Sequence, residues 1–121
     1  MPKQILSVGN CSYDFGTLSQ ALEAKFDVAL QNAETAEEAE QLLKKQPFDL
    51  IVVNRLFDIN QDSGIALIKK LKEQKLATPM MLISNFPESQ EEAVGVGAVP
   101  GYGKKAVGKP EMLDLVGQYL K

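Results

Sequence analysis

Five short runs of apolar residues recur along the chain, and most of them end at glycine, asparagine or another turn-forming residue. Runs of this length are typical of strands that are buried on both faces, as in a parallel sheet. The run over 98–102 contains Pro100, which has no N–H for a sheet hydrogen bond, so we expect this strand at an edge. The run over 26–30 alternates more and is also expected near an edge. The predicted strands are 5–8, 26–30, 49–53, 80–83 and 98–102.

Between these runs, apolar residues recur at steps of three and four, the spacing of one helix face. Thr35 and Glu38 form a capping box, in which the hydroxyl accepts from a backbone N–H and the carboxylate reaches back. A short helix is predicted over 91–96, and Pro110 is suited to the first position of a last helix. The apolar stripes are Phe15, Leu18 and Leu22; Ala36, Ala39, Leu42 and Leu43; Ile65, Ile68 and Leu71; and Met112, Leu113, Val116 and Leu120.

This alternation of strand and helix, repeated five times, predicts a single α/β domain over residues 1–121. Its parallel five-stranded sheet would carry helices on both faces, joined by right-handed crossovers. In such sheets, ligands bind outside the carboxyl ends of the strands. The residues that follow each strand are therefore the candidates for function.

Composition and charge exclude several classes of function. The 121 residues carry 13 Lys and Arg against 16 Asp and Glu, a formal net charge of −3, which disfavours nucleic acid as a ligand. No histidine is present, which excludes His-based triads and His-ligated metal sites. Cys11 has no partner for an internal disulfide, and no apolar run has the length needed to span a bilayer. We therefore expect a cytoplasmic protein that binds neither nucleic acid nor membrane.

In order and spacing, these segments resemble the receiver domains of bacterial two-component response regulators, the CheY-like family. The resemblance covers the whole chain and implies a flavodoxin-like (βα)5 three-layer sandwich with strand order 2-1-3-4-5. In that family, a phosphohistidine on a kinase passes its phosphoryl group to an aspartate at the end of strand three. An acidic pair after strand one helps to hold Mg²⁺. The matching features are Ile5-Leu6-Ser7-Val8, Asp49 to Asn54, Gly64, Thr78 to Ser84, Gly97-Ala98, Tyr102 and Lys105.

The chain departs from the family pattern where the phosphoryl chemistry would take place. Asn54 stands at the phosphoacceptor position, and its amide has no nucleophilic carboxylate oxygen. The acidic pair falls on Gly9 and Asn10, which leaves no carboxylate at the matched Mg²⁺ positions, so Mg²⁺ is not expected to bind. These departures predict a phosphorylation-independent receiver-like domain, a pseudo-receiver, that acts in signal transduction by binding proteins and is not an enzyme.

Other family positions keep a matching residue. Ser84 matches the Ser/Thr that contacts the phosphoryl group, and Lys105 matches the family lysine, with Lys104 as the alternative. Tyr102 matches an aromatic residue that in the family turns inward when the Ser/Thr shifts. Plain packing at the sheet edge is the alternative interpretation of Tyr102. In the family, the face formed by helix 4, strand 5 and helix 5 meets a signalling protein or a second copy, and we expect the same face to bind partners here.

Two other functions remain open. The segment from Asn54 to Gly64 is longer than the common form of this loop, and its Asp58 is an alternative phosphoacceptor unless it is a solvated loop acid. Asp62 in the same segment is predicted to cap helix three. In the second hypothesis, the domain senses a small polar or anionic ligand through Asn10, Asn54, Ser84 and Lys105. Cys11 and Arg55 are expected to be an inert turn residue and an exposed loop residue, respectively.

Overall fold

The computed structural model describes residues 2–120, in which strands and helices alternate along the chain. The strands pair in parallel in the order β2-β1-β3-β4-β5, which confirms the predicted topology and places the proline-containing last strand at an edge. The strands are β1 (Lys3–Val8), β2 (Val28–Ala33), β3 (Leu50–Asn54), β4 (Met80–Ile83) and β5 (Val99–Tyr102). The helices are α1 (Ser12–Glu23), α2 (Ala36–Lys45), α3 (Gly64–Glu73), α4 (Pro87–Gly95) and α5 (Pro110–Gln118), with a 3₁₀ turn over Lys104–Ala106.

The helices form layers on both faces of the sheet, and each face has its own apolar core. All five residues of β3 are buried because this strand is central and covered on both sides. The central strands therefore form a rigid base for the loops at their carboxyl ends. On one face, α1 and α5 contribute Leu18, Leu22, Met112 and Val116. On the other, α2, α3 and α4 contribute Ala39, Leu67, Ile68, Leu71 and Ala93.

The second strand differs from its prediction, because it begins and ends later than the run over 26–30. The backbone N–H of Phe26 donates to the carbonyl of Leu22 at 2.8 Å, so Phe26 lies in the turn that follows α1. The strand instead continues to Ala33 and pairs with β1 up to Val8. The second half of this strand contains the polar residues Gln31 and Asn32, so the apolar pattern did not predict it.

The helix starts also correct the sequence predictions. Ser63, and not Asp62, caps α3, because its hydroxyl accepts from the backbone N–H of Ala66 at 3.2 Å. The carboxylate of Glu38 accepts from the backbone N–H of Glu34, one residue before the Thr35 that caps α2. The fourth helix is longer than the predicted 91–96 because it begins at Pro87, in the first position where the missing N–H costs nothing.

No helix within residues 2–120 is both long enough and apolar enough to cross a membrane.

Candidate functional site

The loops after β1, β2, β3 and β4 meet at the carboxyl edge of the sheet, and they line two of the cavities found there. The first, which we call the β3–β4 cavity, has a volume of about 300 Å³. Its lining includes Asn54, Arg55, Asp58, Ser84, Asn85 and Lys104. The second, the β1–β2 cavity, has a volume of about 200 Å³ and is lined by residues at and after the ends of those two strands, together with Asp58 and Ile59. Asp58 lies between the two cavities.

Asn54, the last residue of β3, joins two loops. It is only 6% exposed, and its side-chain nitrogen donates to the carbonyl oxygens of Gly9 at 3.3 Å and Leu56 at 2.9 Å. Because a carbonyl only accepts, both contacts require the amide nitrogen on this side, and Oδ1 must point elsewhere. A carboxylate in this place would direct an anionic oxygen at two carbonyl oxygens. The asparagine therefore donates two hydrogen bonds that an aspartate at this position could not donate.

Gly9 follows β1 with a left-handed backbone, φ +82°, and the ring of Phe57 lies directly over it. A Cβ at position 9 would collide with ring atoms of Phe57, which is fully buried. The two segments are also tied through their backbones, since the N–H of Asp58 donates to the carbonyl of Gly9 at 2.9 Å. The space beside position 9 that a side chain would need is therefore filled by an aromatic ring.

Asn10 belongs to a closed ring of hydrogen bonds with Ser7 and Asn32. The Asn32 nitrogen donates to the Asn10 backbone carbonyl at 3.1 Å, the Ser7 hydroxyl donates to Asn32 Oδ1 at 2.9 Å, and Asn10 Nδ2 donates to the Ser7 oxygen at 2.7 Å. The backbone carbonyl fixes the orientation of Asn32, which fixes the direction of the hydroxyl and then the orientation of Asn10. Asn10 Oδ1 is left outside the ring and makes no hydrogen bond within residues 2–120.

Ser84 directly follows β4 and is hydrogen-bonded through its backbone to Tyr102 of β5, but the two side-chain hydroxyls differ in their environment. The Ser84 hydroxyl accepts from the backbone N–H of Phe86 at 3.1 Å, and the Ser84 N–H donates to the carbonyl of Tyr102 at 2.9 Å. The Tyr102 ring packs in the same core as Met112 and Val116, and its hydroxyl has no partner within the described residues. Burial raises the pKa of the Tyr102 phenol well above its ordinary value.

The two candidate lysines differ in what they contact. Lys104 lines the β3–β4 cavity, and its ammonium pairs with the carboxylate of Asp14 at 3.0 Å. Lys105 contributes its backbone N–H to Asn85 Oδ1 at 3.3 Å and is not among the residues that line either cavity. Of the two, Lys104 is thus the one whose charge the structure brings to the β3–β4 cavity.

The loop after β3 folds into a compact turn of its own. Leu56 bridges to Ser63, and the N–H of Phe57 donates to the carbonyl of Asp62 at 2.9 Å. This turn presents the exposed carboxylate of Asp58 to both cavities. Arg55 at its base places its guanidinium 4.9 Å from the centre of the Phe86 ring, so it is held by a cation–π contact and not free in solvent.

Cys11 is the last residue of the loop after β1 and the N-cap residue of α1. Its sulfur accepts from the backbone N–H of Asp14 at 3.4 Å, and the residue lines the β1–β2 cavity. This geometry gives Cys11 a structural role at the start of α1.

Comparison with known proteins gives a consistent picture. No family model matches the chain. The chemotaxis protein CheY of Halobacterium salinarum is 28% identical over 122 residues, covering 99% of this chain and 98% of that protein. A putative response regulator from Chloroflexus aurantiacus superposes with a TM-score of 0.84 at 20% identity, covering 99% of this chain and 98% of the other. The beryllofluoride-activated NtrC4 receiver domain dimer gives 0.78 at 21% identity, with coverage of 97% and 95%.

The resemblance to CheY-like receiver domains is confirmed. The comparisons support receiver-type signal transduction as the broad function of this receiver-like domain. A response regulator protein from Burkholderia pseudomallei and NtrX from Brucella abortus are longer than this chain, which covers 66% of the first and 27% of the second.

The residues around Asn54 do not fit the Mg²⁺ site that the family uses. Mg²⁺ is held in proteins through one or two carboxylates and several waters in an octahedral arrangement. The β3–β4 cavity offers one carboxylate, that of Asp58, and places it with the cationic Arg55 and Lys104. Within residues 2–120, no group of three or more His, Cys, Asp or Glu side chains is placed to hold a metal ion.

Sequence analysis missed four residues that shape this site. Ser7 and Asn32 complete the hydrogen-bond ring of Asn10, and Phe57 fills the space over Gly9. Gln90 of α4 hydrogen-bonds to both β4 and β5. The one available signal was the polar Ser7 within an otherwise apolar strand, because a buried hydroxyl needs a partner.

Proposed function

We propose that this receiver-like domain is a pseudo-receiver, which transmits a signal by binding another protein without being phosphorylated. The observation that carries the proposal is the contact of the Asn54 amide with the carbonyls of Gly9 and Leu56. Phosphoryl transfer needs a nucleophilic oxygen and positioned cations around it. At the acceptor position, this chain has an amide, and the amide nitrogen already donates hydrogen bonds to both loops.

The positions of the acidic pair support the same proposal. Gly9 has no side chain, and Phe57 fills the adjacent space. Asn10 directs its amide nitrogen to Ser7 and is 96% buried, so it presents neither a charge nor a flexible ligand. On this proposal, the domain needs no Mg²⁺ and carries no enzymatic activity of its own.

The face formed by α4, β5 and α5 is the surface we propose for the partner. Val94 is 45% exposed there, and Pro100 of the edge strand is exposed beside it. A shallow groove of about 360 Å³ lies between them, lined mainly by apolar surface from Val94, Pro100 and Gly101. The similar NtrC4 receiver domain forms a dimer, which supports a second copy of the chain or a related signalling protein as the partner.

A phosphorylation assay tests the proposal directly. The protein is incubated with Mg²⁺ and acetyl phosphate, and its intact mass is measured, with a typical receiver domain as the positive control. We expect no gain of a phosphoryl group. A Mg²⁺-dependent gain would contradict the proposal, and its loss in Asp58→Asn would identify Asp58 as a displaced acceptor. A gain that survives Asp58→Asn would contradict both hypotheses about the acceptor.

A further inference from the structure

A groove between the ends of α2 and α3 lies at the opposite edge of the sheet from Asn54. Both helices end there, shortly before the chain enters β3 and β4. This α2–α3 groove has a volume of about 450 Å³ and is larger than the two cavities at the carboxyl edge. Its lining includes Leu43, Lys44, Leu71, Lys75, Leu76 and Ala77.

The floor of the groove is apolar and only partly covered. Leu71 is buried, while Leu43 and Leu76 are partly buried side chains that pack against the core on this face of the sheet. Ala77 is exposed and continues the same surface toward β4. The outer sides of the two partly buried leucines therefore stay in contact with water until another molecule covers them, and covering them is favourable.

The rim of the groove is positively charged. Lys44 and Lys75 line it, and neither forms an ion pair within residues 2–120. Glu40 is the one acidic residue in the described lining, and it already pairs with Lys70 at 3.1 Å and accepts from Gln74 at 3.4 Å. The carboxyl ends of the two helices oppose the lysines with about half a negative charge each, so the balance at the rim remains positive.

This rim belongs to a concentration of lysines in a chain whose net charge is −3. Half of the twelve lysines lie in the second halves of α2 and α3 or directly after α3, and the same stretches contain one acidic residue, Glu73. Positive charge of this kind attracts an anionic partner to this edge. The six lysines are Lys44, Lys45, Lys69, Lys70, Lys72 and Lys75.

Lys75 has a backbone conformation that favours glycine. Its φ is +65°, and it directly follows the C-cap residue of α3. The N–H of Lys75 donates to the carbonyl of Lys72 at 2.9 Å, and the N–H of Leu76 donates to that of Leu71 at 3.1 Å, as in a Schellman motif. Glycine is the usual residue at this position because it has no Cβ. The lysine costs stability relative to glycine and adds a charge to the rim, and such outliers concentrate at functional sites.

We propose that the α2–α3 groove binds a short segment of a partner protein that carries acidic and leucine side chains together. The acidic side chains pair with Lys44 and Lys75, and the apolar side chains cover Leu43 and Leu76. A small anion would leave the apolar floor exposed. A flat lipid surface does not reach partly buried leucines between two helices, whereas the side chains of a peptide do.

This inference goes beyond the proposed function and does not depend on it. The groove lies at the other edge of the sheet from Asn54, and its helices differ from those of the α4, β5 and α5 face. A phosphorylated domain and an unphosphorylated one would present the same groove.

A residue-resolved NMR titration with a synthetic peptide tests the groove. The probe is the acetylated and amidated peptide EELLDELL. One control peptide has serine in place of every leucine, and the other has glutamine or asparagine in place of every acid. We expect saturable shifts at the backbone amides of Leu43, Leu76 and Ala77 with the probe, and binding of both controls about tenfold weaker, the scale of one buried leucine or two ion pairs. Absence of saturable shifts with the probe, or equal binding of either control, would overturn the proposal.

Matched variants locate the binding. Lys44→Gln with Lys75→Gln should weaken the affinity for the probe about three- to tenfold, because an exposed ion pair contributes a factor of up to about five. Lys25→Gln with Lys109→Gln makes the same charge change at exposed residues beside α1 and α5, the helices on the other face of the sheet. The affinity of this control should stay within about twofold, since distant exposed charges are screened by salt. Equal weakening in both double variants would contradict the assignment.

Lys75→Gly separates binding from folding. It removes a rim charge and relieves the left-handed backbone, so the protein should need more urea to unfold while it binds the probe about two- to fivefold more weakly. Unchanged affinity in this variant would overturn the role of Lys75. Co-sedimentation of the wild type with phosphatidylserine vesicles, if lost in Lys44→Gln with Lys75→Gln, would reassign the groove to a lipid surface and overturn the proposal.

Discussion

Phe57 packs over Gly9 so closely that position 9 has no room for a side chain. The contact joins the loop after β1 to the loop after β3, and the backbone bond from Asp58 to the Gly9 carbonyl reinforces it. In the receiver-like pattern, position 9 corresponds to one of the acidic residues. Phe57 thus fills the space that an acidic side chain at position 9 would need, and a single substitution there would not recreate the acidic pair.

Gly9→Ala should destabilise the protein by about 2–4 kcal/mol. Part of this comes from placing a Cβ at a left-handed φ, which costs about 1–2 kcal/mol, and part from displacing a buried ring. Urea denaturation measures the change. Gly16→Ala is the matched control, because a Cβ there meets no atom within 4 Å in the middle of α1, and it should stabilise by about 0.5–1 kcal/mol. Equal effects at the two glycines would show that Phe57 does not constrain position 9.

Asn54→Asp should not restore phosphorylation and should lower the free energy of unfolding by about 1–3 kcal/mol. The carboxylate cannot donate to the carbonyls of Gly9 and Leu56, and the positions of the acidic pair still lack Mg²⁺ ligands. Intact-mass measurement with acetyl phosphate and Mg²⁺, together with urea denaturation, checks both parts. Asn60→Asp makes the same chemical change at an exposed residue. The Asn60 side chain only accepts a hydrogen bond, through Oδ1, which a carboxylate can also do, so the free energy of unfolding should change little. Efficient labelling of the Asn54→Asp variant would refute this account of the site.

How much of this could be predicted from sequence depends on whether a feature is local. The runs 49–53 and 80–83 predicted their strands because residues buried on both faces must be apolar. The end of β2 was missed because Asn32 is polar, and its hydrogen-bond partners Ser7 and Asn10 are distant in sequence. Strand order brought the candidate residues to one edge, but the partner of each amide depends on how two loops fold against each other.

Tyr102→Phe should leave stability unchanged or raise it by up to about 1 kcal/mol, because the hydroxyl is buried without a hydrogen-bond partner within residues 2–120. The pH dependence is more specific. Burial raises the pKa of the folded-state phenol, while the unfolded phenol ionises near pH 10, so the wild type should lose stability as pH rises above about 10. Between pH 8 and about 11, the thermal unfolding temperature should fall less in Tyr102→Phe than in the wild type. In Tyr13→Phe, which changes an exposed tyrosine, the unfolding temperature should fall as much as in the wild type.

Gln90 connects α4 to the two strands at the edge of the sheet. Its side-chain nitrogen donates to the carbonyls of Leu82 at 2.9 Å, Ser84 at 3.2 Å and Tyr102 at 3.3 Å, and its oxygen accepts from the N–H of Gly101 at 3.2 Å. The register between β4 and β5 shifts at this point, so the side chain supplies hydrogen bonds that the sheet lacks. Gln90 thus couples Ser84 to the helix that forms part of the proposed partner surface.

Gln90→Ala should therefore loosen α4 and β5 while leaving β1 and β3 protected. Removal of the amide leaves several backbone groups without their partner, which should cost about 1–3 kcal/mol. Amide hydrogen exchange should show faster exchange at Gly101 and along α4, since local opening follows the local loss of stability. Glu91→Ala changes the adjacent, exposed residue of the same helix and should leave the exchange of Gly101 unchanged. If Gly101 keeps its protection in Gln90→Ala, the shifted strands hold β5 without help from the helix, and the coupling between Ser84 and α4 does not exist.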